Sequence, residues 1–463
     1  MPRHKSTSAQ RKALSETEVA YSYAKVIRKD IYHAVDDRIR KLLAGDLSFH
    51  DASSNGGRHN FHSFPAKFPP QLPRLFIDYL TDPEDIVLDP MVGSGTTIIE
   101  ATSAGRIGVG FDIDPLSILI SKVKATSIDP AKVQTAALQV VQGAEISLLK
   151  TSRLEKEIEK RFDEKTKEFI DYWFSRETQT EIMALLIQIE KVDDGEVKDF
   201  LRLLLSSIIV TKSGGVSLAW DLGHTRPHKL NQGQQKKYKP AIQEFEKRLL
   251  RNLQSLRDGS KNGKGFVQFG SAENLPLKDD SIDLIVTSPP YASNAIDYMR
   301  AHKFSLVWLG MDVGYLSHLR SKYIGSDKVA DYNFKEIPPA TTKIISRISN
   351  LDRQKGKALH RYYNEMASVL CEMQRVLKPG KTAIVVVGSS IMRGIDTETD
   401  KCLVEIGESL DLHCAGIGVR SIDRNKRMLP TSSKVRLSSQ IENRMHKEFV
   451  IAFTKQHRRE KDG

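Results

Sequence analysis

The string Thr-Ser-Pro-Pro-Tyr at 287–291 follows a strand-like apolar run, 282–286, and limits how the backbone can continue. Two consecutive prolines lack the N–H groups that a strand or helix needs, so the chain must leave in a stiff extended turn. In open α/β sheets, ligands bind at the carboxyl ends of strands, where this turn would lie. A hydroxyl, proline carbonyls and an aromatic ring suit the exocyclic amine and flat face of a base. By itself the string equally fits a proline turn that packs an aromatic ring into the core.

A second short strand ends at Asp89 and leads into a glycine-containing loop and a helical run. Gly93 and Gly95 allow a tight strand-to-helix turn and close approach of the backbone to a ligand. The next strand ends in Asp112, where an acid can accept hydrogen bonds from both ribose hydroxyls. Position 98 is Ile rather than the third glycine of the dinucleotide motif, and no Gly-Lys-Ser/Thr follows. The pattern therefore predicts a nucleoside ligand that lacks a pyrophosphate.

Together these strings resemble motifs of the DNA amino-methyltransferases, which methylate cytosine N4 or adenine N6 with S-adenosylmethionine. The matching strings are Asp-Pro-Met-Val-Gly-Ser-Gly-Thr at 89–96, Thr-Ser-Pro-Pro-Tyr at 287–291 and a Phe-Pro-Ala-containing segment at 59–70. The likeness covers about 59–125 and 267–455. It implies a methyltransferase that takes a base from DNA, with S-adenosylmethionine as its cofactor.

The resemblance also implies a set of site residues. Catalysis is assigned to Ser288, Pro289, Pro290 and Tyr291. Cofactor binding is assigned to Phe64, Pro65, Ala66, Asp89, Pro90, Gly93, Gly95, Thr96 and Asp112. Members of the family often carry an acid where this chain has Ser271, so we expect Glu273 or the backbone to contact the adenine. If the assignment is correct, Gly93 and Tyr291 must face the same pocket.

Ser as the first residue of the proline motif favours cytosine N4 within the family, and adenine N6 is the alternative because the same string occurs with adenine targets.

Two other functions stay open. A structured-RNA amine methyltransferase would need an RNA-capture region, for which 1–58 is short although the helical insertion could serve. A non-catalytic DNA-binding protein would be expected to lose part of the glycine loop or the proline turn, and both are complete here. The expected partners are double-stranded DNA and a cognate restriction endonuclease.

Composition narrows the chemistry further. Cys371, Cys402 and Cys414 include no close pair, which argues against disulfides or a zinc cluster and fits a reducing cytoplasm. No cysteine lies near the proline turn, so the chain lacks the thiolate that methylation of cytosine carbon 5 requires. Hydrophobic runs are short and the first residues are polar, so we expect neither a signal peptide nor a membrane span, and a cytoplasmic location.

The positive charge is concentrated in two segments. The net charge is +12; segment 212–264 has 12 Lys/Arg against 4 Asp/Glu, and segment 320–361 has 10 against 4. Such patches attract a phosphate backbone, although a solvated basic face without a partner is the alternative. The candidate DNA-binding residues are Trp220, Arg226, Lys229, Lys236, Lys237, Arg320 and Lys322. Asp221, His224 and His228 make a poor zinc site, so no metal is predicted.

Strands alternate with helices along most of the chain, which predicts an α/β fold with a Rossmann-like, doubly wound, mostly parallel sheet and a large helical insertion. Helical periodicity fills most of 131–257, where 131–162 reads as one long helix. The predicted divisions are a disordered basic tail (1–15), an N-terminal helix and loop (16–58), a cofactor-binding half (59–128), a helical insertion and candidate DNA-recognition region (129–265), a catalytic half (266–455) with a basic loop (320–357), and a charged tail (456–463).

Overall fold

The computed structural model describes residues 35–50, 56–65, 67–211, 214–220, 238–257, 263–292, 297–326, 329, 332–422 and 447–456. The predicted tail at 1–15, most of that at 456–463 and the first part of the N-terminal helix lie outside these residues. Among the described helices, none is long and apolar enough to cross a membrane.

The strands are β1 Ile86–Asp89, β2 Ile107–Asp112, β3 Gly265–Phe269, β4 Ile282–Thr287, β5 Leu377–Val387, β6 Ile391–Met392, β7 Ile395–Asp396, β8 Leu412–Ser421 and β9 Lys447–Lys455. The helices are α1 (35–44), α2 Gln71–Leu80, α3 Thr96–Ser103, α4 Pro115–Ala125, α5 Pro130–Leu148, α6 Thr151–Arg161, α7 Glu164–Trp173, α8 Arg176–Glu190, α9 Gly195–Ile209, α10 Ala241–Arg257, α11 Tyr298–Leu306, α12 Val313–Ser321, α13 Pro339–Leu351, α14 Arg353–Val376 and α15 Thr399–Ser409. A short 3-10 helix spans Gly57–Asn60.

Seven strands form one sheet in the order β3-β2-β1-β4-β5-β9-β8. The neighbouring strands β3, β2, β1, β4 and β5 are all parallel to one another. Strand β9 lies between β5 and β8 and is antiparallel to both. The chain leaves the centre of the sheet in both directions from β1 and β4, so the ligand-binding crevice of a doubly wound fold is expected at their carboxyl ends. The predicted fold class is therefore confirmed.

Alternating residues of the central strands enter two different cores. Val87 and Leu284 pack with helices α1 and α2 on one face of the sheet. Leu88 and Ile285 pack with α13, α14 and α15 on the other face. Both faces are covered, which explains why β4 is buried at every position and why four of its six residues are apolar.

The predicted helical insertion is present as α5 to α10, between α4 and β3. It shares one core with residues of α4, α11 and α12, and it is joined to the N-terminal motif through the buried His62. The Nδ1 of His62 lies 2.8 Å from the carbonyl of Ser63, which can only accept, so Nδ1 carries the proton. Nε2 then accepts from the hydroxyl of Ser206 on α9, at 2.9 Å. Burial, together with the charge of His302, lowers the pKa of His62 to about 3, so this link is neutral at physiological pH.

Several secondary-structure predictions were wrong. The single helix at 131–162 is two helices, and the turn at 149–150 between them lets Leu154 and Ile158 of α6 reach the core. The predicted loop at 320–357 contains α13 and the start of α14. Helices α4 and α13 each have proline in the first turn, where no backbone N–H partner is lost, so a residue that reads as a helix breaker begins the helix instead.

Candidate active site

A cavity of about 510 Å³ lies at the carboxyl ends of β1, β2 and β4. This size is typical of small-molecule sites. Residues of both sequence motifs line it, including Gly93 and Tyr291, so the two motifs do face one pocket. The predicted site residues in its wall are Phe64, Asp89, Pro90, Gly93, Thr96, Asp112, Glu273, Ser288, Pro289, Pro290, Tyr291, Arg320 and Lys322.

A buried hydrogen bond joins the two motifs. Strand β4 ends at Thr287, whose hydroxyl donates to the Oδ1 of Asp89 at the end of β1, at 2.7 Å. Burial raises the pKa of Asp89 to about 6, although the Thr287 hydroxyl and the N–H of Met91 oppose this shift. The proline turn begins directly after this contact. Ser288 therefore starts from a fixed position beside the glycine loop.

Tyr291 is held on two sides. Its hydroxyl donates to Glu448 on β9 at 2.6 Å, and Glu448 also pairs with Arg420. Its ring packs against Gly388, where an added Cβ would lie only 2.9 Å from the ring. Since the ring also lines the cavity, it presents a fixed aromatic surface to a bound ligand.

Helix α4 holds the glycine loop from behind. Ser121 donates its hydroxyl to the carbonyl of Gly93 at 2.8 Å, and Lys124 donates to the carbonyl of Ser94 at 2.9 Å. Gly95, with a φ of 79°, comes before α3, and a Cβ there would lie 3.0 Å from the Ser121 hydroxyl. Gly95 thus permits close packing of the loop on α4 rather than lining the cavity.

Asp112 orients the same loop from the end of β2. Its two carboxylate oxygens accept from the backbone N–H groups of Gly93 and Asp114, both at 2.9 Å. Burial, and secondly the charge of Asp114, raise the pKa of Asp112 to about 7. The carboxyl group is therefore fixed in place, faces the cavity and titrates near neutral pH.

Sequence reasoning missed the role of Asp114, the most heavily bonded carboxylate of the site. One of its oxygens caps α4 through the N–H of Leu116. The other accepts from the Nδ1 of His302 at 2.7 Å and from the hydroxyl of Tyr323 at 2.8 Å. Burial would raise the pKa of Asp114, but His302 and these hydrogen bonds hold it below its usual value. The only sequence signal was an Asp before Pro115, which is typical of a helix N-cap.

One wall of the cavity is the segment 321–326, which follows α12. Two buried residues of α14, Arg361 and Glu365, form an ion pair at 2.7 Å and hold the two ends of this segment. Arg361 donates to the carbonyl of Ser321 at 3.0 Å. Glu365 accepts from the N–H of Gly325 at 2.8 Å. The hydroxyl of Tyr323, between these ends, bonds Asp114. The segment is thus anchored to α14 and to the cofactor half at once.

Two stacked aromatic rings also line the cavity. Phe64 stacks on Tyr298 with ring centroids 5.0 Å apart, and the ring of His302 lies 5.4 Å from Phe64. Tyr298 also lines the cavity and was missed, because nothing in the sequence of α11 distinguishes it from a core aromatic. Half-buried Glu273 lines the cavity as well, and burial raises its pKa.

Some predicted residues lie elsewhere. Pro65 is buried and Trp220 half-buried, and neither lines the cavity. The residues that fall outside the described part of the chain are Ala66, Arg226, Lys229, Lys236 and Lys237. Among the described residues, no group of three or more His, Cys, Asp or Glu side chains could hold a metal ion.

The charges of the cavity fit the predicted cofactor. Its acidic lining residues outnumber its basic ones: Asp89, Asp112, Asp114, Glu273 and Asp297 against Lys67, Arg320 and Lys322. S-adenosylmethionine carries a sulfonium, an ammonium group and two ribose hydroxyls, for which carboxylates are suitable partners. By the resemblance, Phe64 would line the methionine end of the cofactor, and Asp89, Gly93 and Asp112 would hold the rest.

Comparisons with known proteins find DNA methyltransferases among the relatives of this chain. A family model described as DNA methylase (N6_N4_Mtase) matches residues 7–122. The Type II methyltransferase M.MvaI of Kocuria varians is 26% identical over 423 residues, covering 86% of this chain and 91% of that protein. The Type II methyltransferase M.BsoBI of Geobacillus stearothermophilus is 24% identical, covering 78% and 79%. A SAM-dependent methyltransferase structure from Corynebacterium glutamicum is 10% identical, covers 83% of this chain and 87% of its own, and has a TM-score of only 0.27.

The resemblance inferred from the motifs is thus confirmed: residues 7–122 match the DNA methylase model, and most of the chain is similar to Type II methyltransferases. The chain is an S-adenosylmethionine-dependent DNA methyltransferase of the N6/N4 class, and the cofactor prediction is confirmed with it. The roles of the individual site residues stay predictions.

We predict that the affinity for S-adenosylmethionine depends on the ionisation of Asp112. Its pKa is about 7, and a cation with ribose hydroxyls favours the carboxylate, so binding should be about tenfold weaker at pH 6 than at pH 8 and should release a proton. Asp112→Asn should weaken binding at pH 8 at least about tenfold and remove most of this pH dependence. Isothermal titration calorimetry in buffers of different ionisation enthalpy measures the cofactor affinity and the number of protons released on binding. The control is Asp82→Asn, an exposed acid outside the cavity, and a pH-independent wild type would contradict the role of Asp112.

We predict that Tyr323→Phe loosens the wall segment 321–326, because it removes the hydroxyl bond to Asp114. Amide hydrogen exchange in this segment should become faster, and cofactor affinity should fall about fivefold, since one hydrogen bond contributes about 1 kcal/mol. The matched control is Tyr315→Phe, on the neighbouring helix α12, whose side chain is exposed. If both variants exchange like wild type, the hydroxyl does not hold the wall.

Proposed function

We propose that the chain transfers a methyl group from S-adenosylmethionine to the N4 amine of a cytosine that is extruded from double-stranded DNA. The observation that supports this proposal most is the shared cavity, in which Ser288, Pro289 and Tyr291 line the same space as Gly93 and Asp112. One side of that space suits a nucleoside cofactor and the other suits a planar base with an exocyclic amine.

The chemistry needs orientation more than a strong base. The lone pair of a base amine is delocalised into the ring, which makes the amine a poor nucleophile. The Ser288 hydroxyl and the Pro289 carbonyl accept hydrogen bonds from the amine, which localises the lone pair and directs it. The cofactor supplies the methyl group in an activated sulfonium form. The surplus proton passes to solvent or to Ser288, because a methylated ammonium on the base is strongly acidic.

Tyr291 supplies the stacking surface for the base. Its contacts with Glu448 and Gly388 fix the plane of the ring before the base arrives. A rigid platform lowers the entropy that must be lost on binding, so less of the stacking free energy is consumed. A base that stays stacked in duplex DNA cannot enter this cavity beside the cofactor, and extrusion is therefore required.

The target base and the setting are the finer parts of the proposal. In the family, Ser as the first residue of the proline motif favours cytosine N4 over adenine N6. Both relatives described above are named Type II methyltransferases, which supports a restriction-modification system with a cognate endonuclease acting on cytoplasmic DNA. We propose that Arg320 and Lys322, at the cavity wall, and the helical insertion at 129–265 contact the DNA.

We predict that Ser288→Ala lowers the rate of methyl transfer to DNA about 10- to 100-fold, because a hydrogen bond to a group that develops charge contributes about 1.5–3 kcal/mol. Transfer of tritium from labelled cofactor to duplex DNA under single-turnover conditions measures this rate. Cofactor affinity should stay within about threefold of wild type, since the hydroxyl acts on the base.

Ser317→Ala is the matched control, because Ser317 is an exposed serine of the same cavity wall and has no assigned role. Mass spectrometry of the nucleosides from methylated DNA should show N4-methylcytosine. N6-methyladenine would correct the target base, tritium in structured RNA but not in DNA would correct the substrate, and a Ser288→Ala rate equal to that of wild type would contradict the role of the hydroxyl.

A further inference from the structure

We propose that residues 339–361, which comprise α13 and the first turns of α14, bind the phosphate backbone of duplex DNA beside the cavity. We call them the basic helix pair. The inference rests on the proposed function, from which it takes DNA as the partner. It assigns a phosphate-binding surface to a segment that the sequence pattern had predicted to be a loop.

The basic helix pair carries six Lys or Arg residues and a single acid, Asp352. Four of the basic side chains are exposed and make no ion pair with any described residue: Lys343, Arg347, Arg353 and Lys357. They form two pairs spaced by four residues, which places each pair on one helix face. Like charges at this spacing destabilise a helix unless an anion compensates them, and helix α13 contains no Asp or Glu at all.

The single acid of the pair is already neutralised. Asp352 caps α14 by accepting from the N–H of Lys355 at 3.1 Å. It also accepts two hydrogen bonds from Arg393, at 2.9 and 2.7 Å. These contacts lower the pKa of Asp352, so its carboxylate stays ionised and its negative charge is already paired with Arg393. The field at the surface of the pair is therefore set by its exposed Lys and Arg side chains.

The basic helix pair is fixed to the fold, as a recognition surface must be. Glu405 of α15 caps the start of α13 by accepting from the N–H groups of Ala340 and Thr341, at 2.8 and 2.7 Å. The two helices touch at Gly356, where an added Cβ would lie 2.7 Å from the Cα of Ser349. Apolar residues of both helices are buried in the same core as the central strands. The exposed charges thus sit on a rigid platform.

The pair also leads directly to the cavity. Its last residue, Arg361, bonds the carbonyl of Ser321 in the cavity wall. At 1.5 Å per residue, Arg353 and Lys357 lie roughly 12 and 6 Å along α14 from this contact. A duplex whose extruded base enters the cavity extends over this distance on either side of the base. Arg353 and Lys357 are therefore within reach of phosphates that flank the target, and α13 packs beside them in the same core.

The test compares salt dependence of DNA binding in two four-residue variants of the full-length chain. The first replaces Lys343, Arg347, Arg353 and Lys357 by Gln. The control replaces four exposed residues outside every segment proposed to contact DNA, Arg38, Arg40, Lys41 and Lys278, and removes the same charge. Binding to a 30-base-pair duplex of random sequence is titrated by fluorescence anisotropy from 50 to 200 mM salt. Random sequence isolates backbone contacts from base recognition.

The helix-pair variant should bind at least about tenfold more weakly at 100 mM salt, and the slope of log K against log salt should decrease by about 3 to 4, since each phosphate contact contributes about 0.9. The control should change the slope by less than about 1. Cofactor affinity and melting temperature should equal those of wild type in both. Equal weakening by the two variants would overturn the proposal, as would a helix-pair effect on hairpin RNA but not on DNA. Absence of methyl transfer by the wild type would instead refute the proposed function, because DNA binding is measured separately.

Discussion

The site depends on the hydrogen bond from the Thr287 hydroxyl to the Asp89 carboxylate, which joins positions 198 residues apart. Each residue ends a parallel strand, and these two strands are neighbours at the centre of the sheet. Asp89 also accepts from the N–H of Met91 at the start of the glycine loop, while Thr287 precedes the proline turn. One contact therefore fixes the cofactor motif relative to the catalytic motif. Leaving either buried partner unpaired would cost about 1–3 kcal/mol, which makes their separation unfavourable.

Asp114 plays the corresponding part for the outer wall. It caps α4 and accepts from His302 of α11 and Tyr323 of the wall segment, so three elements meet at one carboxylate. Arg361 and Glu365 fix the wall segment from α14, which also carries half of the basic helix pair. The proposed phosphate-binding surface and the cavity thus share one support. This arrangement explains how contacts to the DNA backbone can hold the target base in position at the cavity.

The strands and both motifs could be predicted from sequence because each has a local cause. Apolar runs of four to six residues define β1, β2 and β4, and Pro289 forbids continuation of β4, so its end was predicted within one residue. Asp114 and Tyr323 were not predicted as partners, since they lie 209 residues apart and no local pattern encodes their contact. Helix α13 was missed because a proline start and a polar, basic exposed face read as loop. The place of β9 between β5 and β8 likewise depends on pairing between distant segments.

The central claim is that the glycine loop and the proline turn enclose one reaction site. A crystal structure of the chain with duplex DNA and a cofactor analogue that cannot donate a methyl group tests it most directly. The account predicts an extruded cytosine beside Tyr291, with its N4 atom about 3 Å from the Ser288 hydroxyl and facing the cofactor at about 3–3.5 Å from the methyl position. A base that stays in the duplex, or a cofactor analogue bound away from Gly93 and Asp112, would contradict it.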